Sequence, residues 1–381
     1  MTSLKQAMDN GEFVVTCEFV PGRGKAGPAL DAAVQFAREV RQAGVTIHAV
    51  SLTDNPGGAP AVLPDVIAAE VQKEGMEALV HFSCRDLNRN AMESRAMALA
   101  RNGIRNLLVI TGDYATLGYE GQAAGVFDLD AVQAVHYLKA MNAGLEIPGR
   151  KPGTTERLAT TDFFIGVGVS PFKFTKEELL MQFFKLERKI AAGADFIITQ
   201  LGYDMRKALE VRRYLASRNL KTPVIGNVYV LSAGAARNMA AGKVPGCVVT
   251  AELVKVLEAE SKAEDKGKAA RFERAAKMMA VLKGSGFNGV HIGGFGLKPQ
   301  DIFHIVKRAG ELGARWESFI PELSFGRPNE YYAFPPPERY VLGASDPDPW
   351  PRLGATSKPF TYRIVSLLHC LMFKPDAVVY K

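Results

Sequence analysis

The residues of this chain that could do chemistry stand at the ends of apolar runs. Glu18 lies in Val14–Gly24 (VVTCEFVPGRG), a short apolar stretch closed by a Pro/Gly turn. An acid in such a run is costly to bury unless it has a partner or a task. Alternation puts Val14, Thr16 and Glu18 on one face and Val15, Cys17 and Phe19 on the other. The other polar residues at run ends are Thr53, Asp54, His81, Ser83, Asp113, Gln200, Asn227 and His291. Singly, each has a plain structural explanation. An Asp after a Gly is often a cap, a strand histidine is usually a satisfied core residue, and Gln200 can tie two loops. As a set they suit acid–base chemistry on a bound small molecule. Burial is expected to raise the pKa of Glu18, so that it holds a proton as a general acid must. Asp113 follows Gly112, whose backbone can approach a flat ligand, and its charge could steady a developing cation. The pairs Gly57-Gly58 and Gly293-Gly294 expose more backbone at run ends, without a phosphate-binding motif.

The elements that must position these residues alternate along the chain. Apolar runs at Val14–Phe19, Thr46–Thr53, Glu77–Cys84, Asn106–Ile110, Phe163–Val169, Asp195–Gln200, Pro223–Val228 and Gly289–Ile292 read as strands. Between them, helical periodicity predicts Pro28–Ala43, Val62–Glu74, Asn88–Asn102, Leu129–Asn142 capped by Asp128, a helix from a Thr175/Glu178 capping box to Ala192, and Met205–Arg218. A single long helical region is expected over Ala233–Lys283, and a last helix over Pro299–Leu312. Strands apolar on both faces and separated by helices are parallel and covered on both sides. Eight such units predict a (β/α)8 TIM-type barrel over residues 1–317, with insertions at about 114–128, 143–162 and 233–283. No GxGxxG follows the first strand, which weakens a dinucleotide-binding fold. Residues 318–381 break the beat with FPPPERY, DPDPWP and a short apolar helix around Tyr362–Met372. They are read as a C-terminal extension packing on the barrel or on a partner subunit.

Composition narrows the classes. The 381 residues carry a net charge of +7, with Lys and Arg scattered and no basic run interleaved with aromatics. That argues against a nucleic-acid groove and for a field that draws anionic small molecules. Cys17, Cys84, Cys247 and Cys370 show no zinc-ligand spacing, so no metal is expected and reduced thiols in a cytoplasmic protein are. No signal peptide or membrane span is read from the sequence.

The ordered fragments CEFVPGR, VSLT, HFSC, GIRNLLVITGD, DLDAVQ and KIAAGADFIITQLGYD resemble the methylenetetrahydrofolate reductase family through most of Thr16–Gly313. The match is strongest in Gly103–Asp113 and Lys189–Asp204. The resemblance implies a barrel with FAD at its mouth. It implies reduction of 5,10-methylenetetrahydrofolate to 5-methyltetrahydrofolate, with NADH or NADPH and the folate using one flavin face in turn, in one-carbon metabolism leading to methionine. By position, Glu18 matches the acid that protonates the folate's N10 and opens the ring to a 5-iminium cation. Asp113 matches the aspartate that stabilises that cation near flavin and pterin, and Gln200 matches a folate contact. Thr53, His81, Gly112 and Asp113 match flavin-contacting positions. Gly125 and Val126 stand where the chain passes the cofactor, and Lys189 matches a basic residue near its phosphates. A homo-oligomer is expected.

This chain departs from the family pattern at several places. Thr111 replaces the usual arginine before Gly-Asp, and Val169–Lys173 replaces a Tyr-Pro/His-Pro segment. Gln182 stands where an acidic flavin contact would, Gly234 near an aromatic position, and Lys298 near a basic folate contact. Two alternatives follow: a flavin-independent reductase, and a folate- or pterin-dependent methyltransferase-type barrel. A non-catalytic partner subunit is disfavoured, because a scaffold has no use for Glu18, Asp113 and Gln200 together.

Overall fold

The computed structural model describes residues 2–335, except 44–45, 116 and 119–120, together with residues 364–365 and 367–368. Eight parallel strands close into a barrel: β1 (Val14–Phe19), β2 (Ala49–Leu52), β3 (Ala78–Ser83), β4 (Asn106–Ile110), β5 (Phe164–Val169), β6 (Phe196–Thr199), β7 (Val224–Tyr229) and β8 (Gly289–Gly293). Each strand pairs with its neighbours in sequence, and β8 returns to β1 with His291 beside Thr16. The TIM-type barrel expected from the sequence is thus the observed fold. Its helices are α1 (Leu4–Asp9), α2 (Pro28–Ala43), α3 (Pro64–Lys73), α4 (Arg89–Arg101), α5 (Ala131–Ala143), α6 (Lys176–Ala191), α7 (Met205–Ser217), α8 (Ala233–Ala240), α9 (Ala251–Glu260), α10 (Lys268–Gly284) and α11 (Pro299–Leu312).

The barrel floor is apolar and the layers above it become polar. Val14, Ala49, Leu79, Leu108, Phe164, Phe196, Ile198 and Ile225 fill the interior near the strand starts, and Leu4, Ala7 and Met8 of α1 complete that cluster. The Phe164 and Phe196 rings stack with centroids 4.9 Å apart. A Cβ on Gly166 would fall 2.4 Å from the Phe196 ring, so only glycine fits above that stack. Helix α1 is held in the floor by a Ser3/Gln6 capping box and by Leu4 N donating to Glu77 Oε2 at 2.8 Å.

Three features differ from the sequence reading. The helical region expected over 233–283 is three helices, α8, α9 and α10, separated by turns in which Gly242, Gly246 and Gly267 take positive φ. Ser232 and Thr250 cap the first two. Asp128 is not the cap of α5: Asp130 caps it in a box with Gln133, while Asp128 accepts from Arg89 N at 2.9 Å. Helix α1 was not anticipated, because six residues hold too few turns to show a period. The expected insertion at 143–162 carries a short hairpin, Glu146–Pro148 against Thr155–Arg157.

The chain divides into two units, Met1–Ala344 and Ser345–Lys381. Within the first, residues 313–335 run from 3-10 turns into a strap on α7. Phe325 N donates to Tyr203 O at 3.0 Å, Phe334 N to Glu210 Oε1 at 3.0 Å, and Lys207 Nζ to Tyr331 O. In the second unit, Ile364, Val365, Leu367 and Leu368 are helical. The rest of the helix read around Tyr362–Met372, most of FPPPERY, all of DPDPWP, and Cys370 lie outside the described residues. None of the described helices is long and apolar enough to cross a membrane.

Candidate active site

At the C-terminal mouth, alternation aims one face of every strand inward. From β1 this face carries Thr16 and Glu18, from β2 Ser51, from β3 His81, and from β8 His291. The pairing register then joins them across strands. His291 Nε2 lies 3.1 Å from Glu18 Oε2, and its Nδ1 lies 2.8 Å from Thr16 Oγ1. His81 Nε2 lies 3.0 Å from Ser51 Oγ. One donor atom from each of Glu18, His81 and His291 falls within 4.8 Å of the others. Both imidazoles are buried, while the Glu18 side chain keeps 22% exposure toward the mouth.

The electrostatics of this cluster correct one expectation. Burial does push the Glu18 pKa up, but the hydrogen bond and charge of His291, with a contribution from His81, outweigh it and hold the pKa below the ordinary value. A lone acid in an apolar strand would have behaved as the sequence suggested; this one is not alone. His81 goes the other way. Its burial drives the imidazole down to about 4, so it is neutral at physiological pH.

The remaining expected site residues ring this centre without joining it. Asp113 is exposed on the rim and accepts from Gly57 N at 3.1 Å, tying the loop after β4 to the glycine pair after β2. Gly112 takes φ +92°, and a Cβ there would fall 2.3 Å from Ser83 Oγ. Arg85, which the sequence reading passed over, is almost fully buried and donates to Asp113 O at 2.8 Å and to Asp86. Gln200 turns its Oε1 back to Leu201 N at 2.8 Å, with Nε2 toward Gly246. Asp54 proves structural: it accepts from Ser83 N at 3.0 Å and from the buried Arg95 at 2.6 Å. At Asn227 the backbone N donates to Thr199 Oγ1 at 3.0 Å.

Several atoms at the mouth lack partners among the described residues. Thr53 Oγ1, Ser83 Oγ and Ser170 Oγ, at the ends of β2, β3 and β5, are buried with no hydrogen bond. Such groups are rare unless something else satisfies them. Lys189 Nζ donates to Gly168 O at 2.6 Å, and burial with nearby Lys185 lowers its pKa to about 8. Val126 N donates to Arg85 O at 2.7 Å while its side chain is 49% exposed; a Cβ on the preceding Gly125 would fall 2.5 Å from the Phe127 ring. A cofactor with hydroxyl, ring and phosphate groups finds orphaned hydroxyls, open backbone and an amine along this rim.

Thr16, Ser51 and Arg85 were missed as site residues. Thr16 was legible in principle, since it shares the inward face with Glu18, but its partner His291 is 275 residues away.

Comparison with known proteins bears on the family of the chain. The methylenetetrahydrofolate reductase family model matches residues 3–310. A probable methylenetetrahydrofolate reductase (NADH) of Oryza sativa subsp. japonica is 27% identical over 206 residues, covering 53% of this chain and 32% of that protein. Methylenetetrahydrofolate reductase (NADH) 1 of Arabidopsis thaliana is 24% identical over 298 residues, covering 76% and 47%. The 5,10-methylenetetrahydrofolate reductase of Salmonella typhimurium is 26% identical over 172 residues, covering 44% and 48%. The chain thus spans less than half the length of these relatives. Among solved structures, an uncharacterized protein from Clostridium thermocellum that binds two copies of 5-methyl-5,6,7,8-tetrahydrofolic acid superposes with a TM-score of 0.55 at 13% identity, over 82% of this chain and 99% of that one. That likeness bears on the fold alone. With its family model matched across nearly the whole barrel, the chain belongs to the methylenetetrahydrofolate reductase family.

Proposed function

We propose that the chain reduces 5,10-methylenetetrahydrofolate to 5-methyltetrahydrofolate with hydride drawn from NADH or NADPH, using FAD held at the barrel mouth. The observation that carries this reading is the Glu18–His291–His81 cluster at the centre of the mouth in a chain of this family. When bound, FAD supplies the carrier that takes hydride from the dinucleotide and passes it to the folate. Thr53, His81, Gly112, Asp113, Gly125, Val126 and Lys189 would hold it, and the orphaned Thr53 hydroxyl and the Lys189 amine fit that task. An ammonium meets a phosphate as a point charge, which suits Lys189.

Glu18 donates a proton to the folate's N10, the bond from N10 to the bridging carbon breaks, and a 5-iminium cation is left to receive hydride. Asp113, whose carboxylate is exposed on the rim, would oppose that cation, and Gln200 would contact the folate. The buried thiols Cys17 and Cys84 suit a reducing compartment, so we assign the protein to the cytoplasm.

Anaerobic absorption spectroscopy of the purified protein tests the proposal. A flavin band that bleaches with NADH or NADPH and returns with methylenetetrahydrofolate is the expected result. A colourless protein that still reduces the folate would overturn the FAD assignment in favour of direct hydride transfer. One that binds tetrahydrofolate but only transfers a methyl group would overturn the reductase itself.

A further inference from the structure

We propose that Glu18 and His291 hold a single proton between them, with Thr16 fixing the imidazole's tautomer, so that His291 stores the proton that Glu18 delivers. The inference rests on the reading of Glu18 as the acid toward N10.

The argument starts at Thr16, which is completely buried. Its hydroxyl has one hydrogen, and the Val290 carbonyl lies 3.5 Å away as an acceptor for it. We assign the hydroxyl's hydrogen to that carbonyl, so that it accepts from His291 Nδ1 at 2.8 Å. In this assignment Nδ1 carries a hydrogen, and in the neutral ring Nε2 is bare. Nε2 nevertheless lies 3.1 Å from Glu18 Oε2. A bare nitrogen and a carboxylate repel, so the contact requires one proton, on the oxygen or on the nitrogen. That proton belongs to the contact between the two groups rather than to either residue alone.

The surroundings favour this pair as the place where that proton rests. His81 is kept neutral by burial and is anchored on Ser51, so it does not compete. The other titratable groups toward Glu18 are Tyr229 of β7 and Cys247, whose burial raises both pKa values, with the Glu18 charge adding to each. Both are neutral at physiological pH. Behind His81, Asp54 and Arg95 neutralise one another at 2.6 Å. His291 is 1% exposed and reaches solvent through Glu18, so the proton loads when the mouth is open and stays when a substrate covers it. On delivery, the shared proton moves from His291 Nε2 to the Glu18 carboxylate, the Glu18 O–H bond then breaks as N10–H forms, and His291 is left neutral with its hydrogen on Nδ1. One solvent proton then reloads the pair, matching the one proton that hydride reduction of the folate consumes.

His291 acts through Glu18 and is a positioning residue. His291→Gln keeps a donor near Glu18 but cannot take up a proton. The expected result is a folate half-reaction slowed roughly a hundredfold at neutral pH. Its alkaline limb moves to lower pH, where a carboxyl titrates alone, while reduction by the dinucleotide proceeds and shows the fold intact. Thr16→Val should move the limb in the same direction with a smaller loss. Nitrogen-15 NMR of labelled wild-type enzyme should show His291 protonated at Nδ1. A ring protonated only at Nε2, or a His291→Gln pH profile matching wild type, would overturn the proposal. If Glu18→Gln itself reduced folate at the wild-type rate, the underlying reading of Glu18 would fail instead.

Discussion

Glu18 is a carboxyl group whose pKa its imidazole neighbour holds below the ordinary value, and His81 beside it is an imidazole held neutral by burial. The second has a consequence for stability that can be measured. The His81 pKa drops from an ordinary 6.5 to about 4 on folding. Between those values the unfolded chain binds more protons than the folded one, so stability is lost as pH falls from about 6.5 toward 4. The loss should be on the order of 3 kcal/mol for this residue. His81→Asn retains a partner for Ser51 but does not titrate. Urea unfolding of both proteins at pH 7 and pH 4.5 should show the wild type losing stability relative to the variant on acidification. A constant difference between them would contradict this description of the cluster.

At the scale of elements, the candidate site at the mouth depends on a floor that a six-residue helix closes. Leu4 of α1 is completely buried among the strand starts. Leu4→Ala should cost about 3 kcal/mol in denaturant unfolding, since the floor cannot collapse into the space left. A loss below about 1 kcal/mol would mean that α1 is peripheral. The barrel strands were legible in the sequence because parallel strands buried on both faces read as unbroken apolar runs. The Thr175/Glu178 box marked the start of α6 for an equally local reason. The breaks between α8, α9 and α10 were hidden, because Ala- and Lys-rich sequence continues on both sides of turns marked by little more than Gly242, Pro245, Gly246 and Gly267. Glu18 itself stood out as an acid in an apolar strand. Its partner did not, because His291 meets it only when the last strand closes on the first, 273 residues along. The expected direction of its pKa failed for that reason.

At the scale of the molecule, one barrel end is apolar and plugged, and the other gathers a carboxylate, two imidazoles, unpartnered hydroxyls and a half-buried amine. A net charge of +7 would favour the approach of the proposed dinucleotide and folate, both anionic. The family and the fold make the hydride-transfer reading the natural one, and the mouth adds a division of labour. Passing hydride from the dinucleotide to the carrier needs no acid, whereas opening the folate ring needs a proton on N10. The most direct test is Glu18→Gln, with the two half-reactions followed separately by anaerobic stopped-flow. The account predicts reduction by NADH or NADPH at near the wild-type rate, and a loss of at least a hundredfold in transfer to methylenetetrahydrofolate. Folate reduction at the wild-type rate would contradict it and return Glu18 to the role of a buried structural acid.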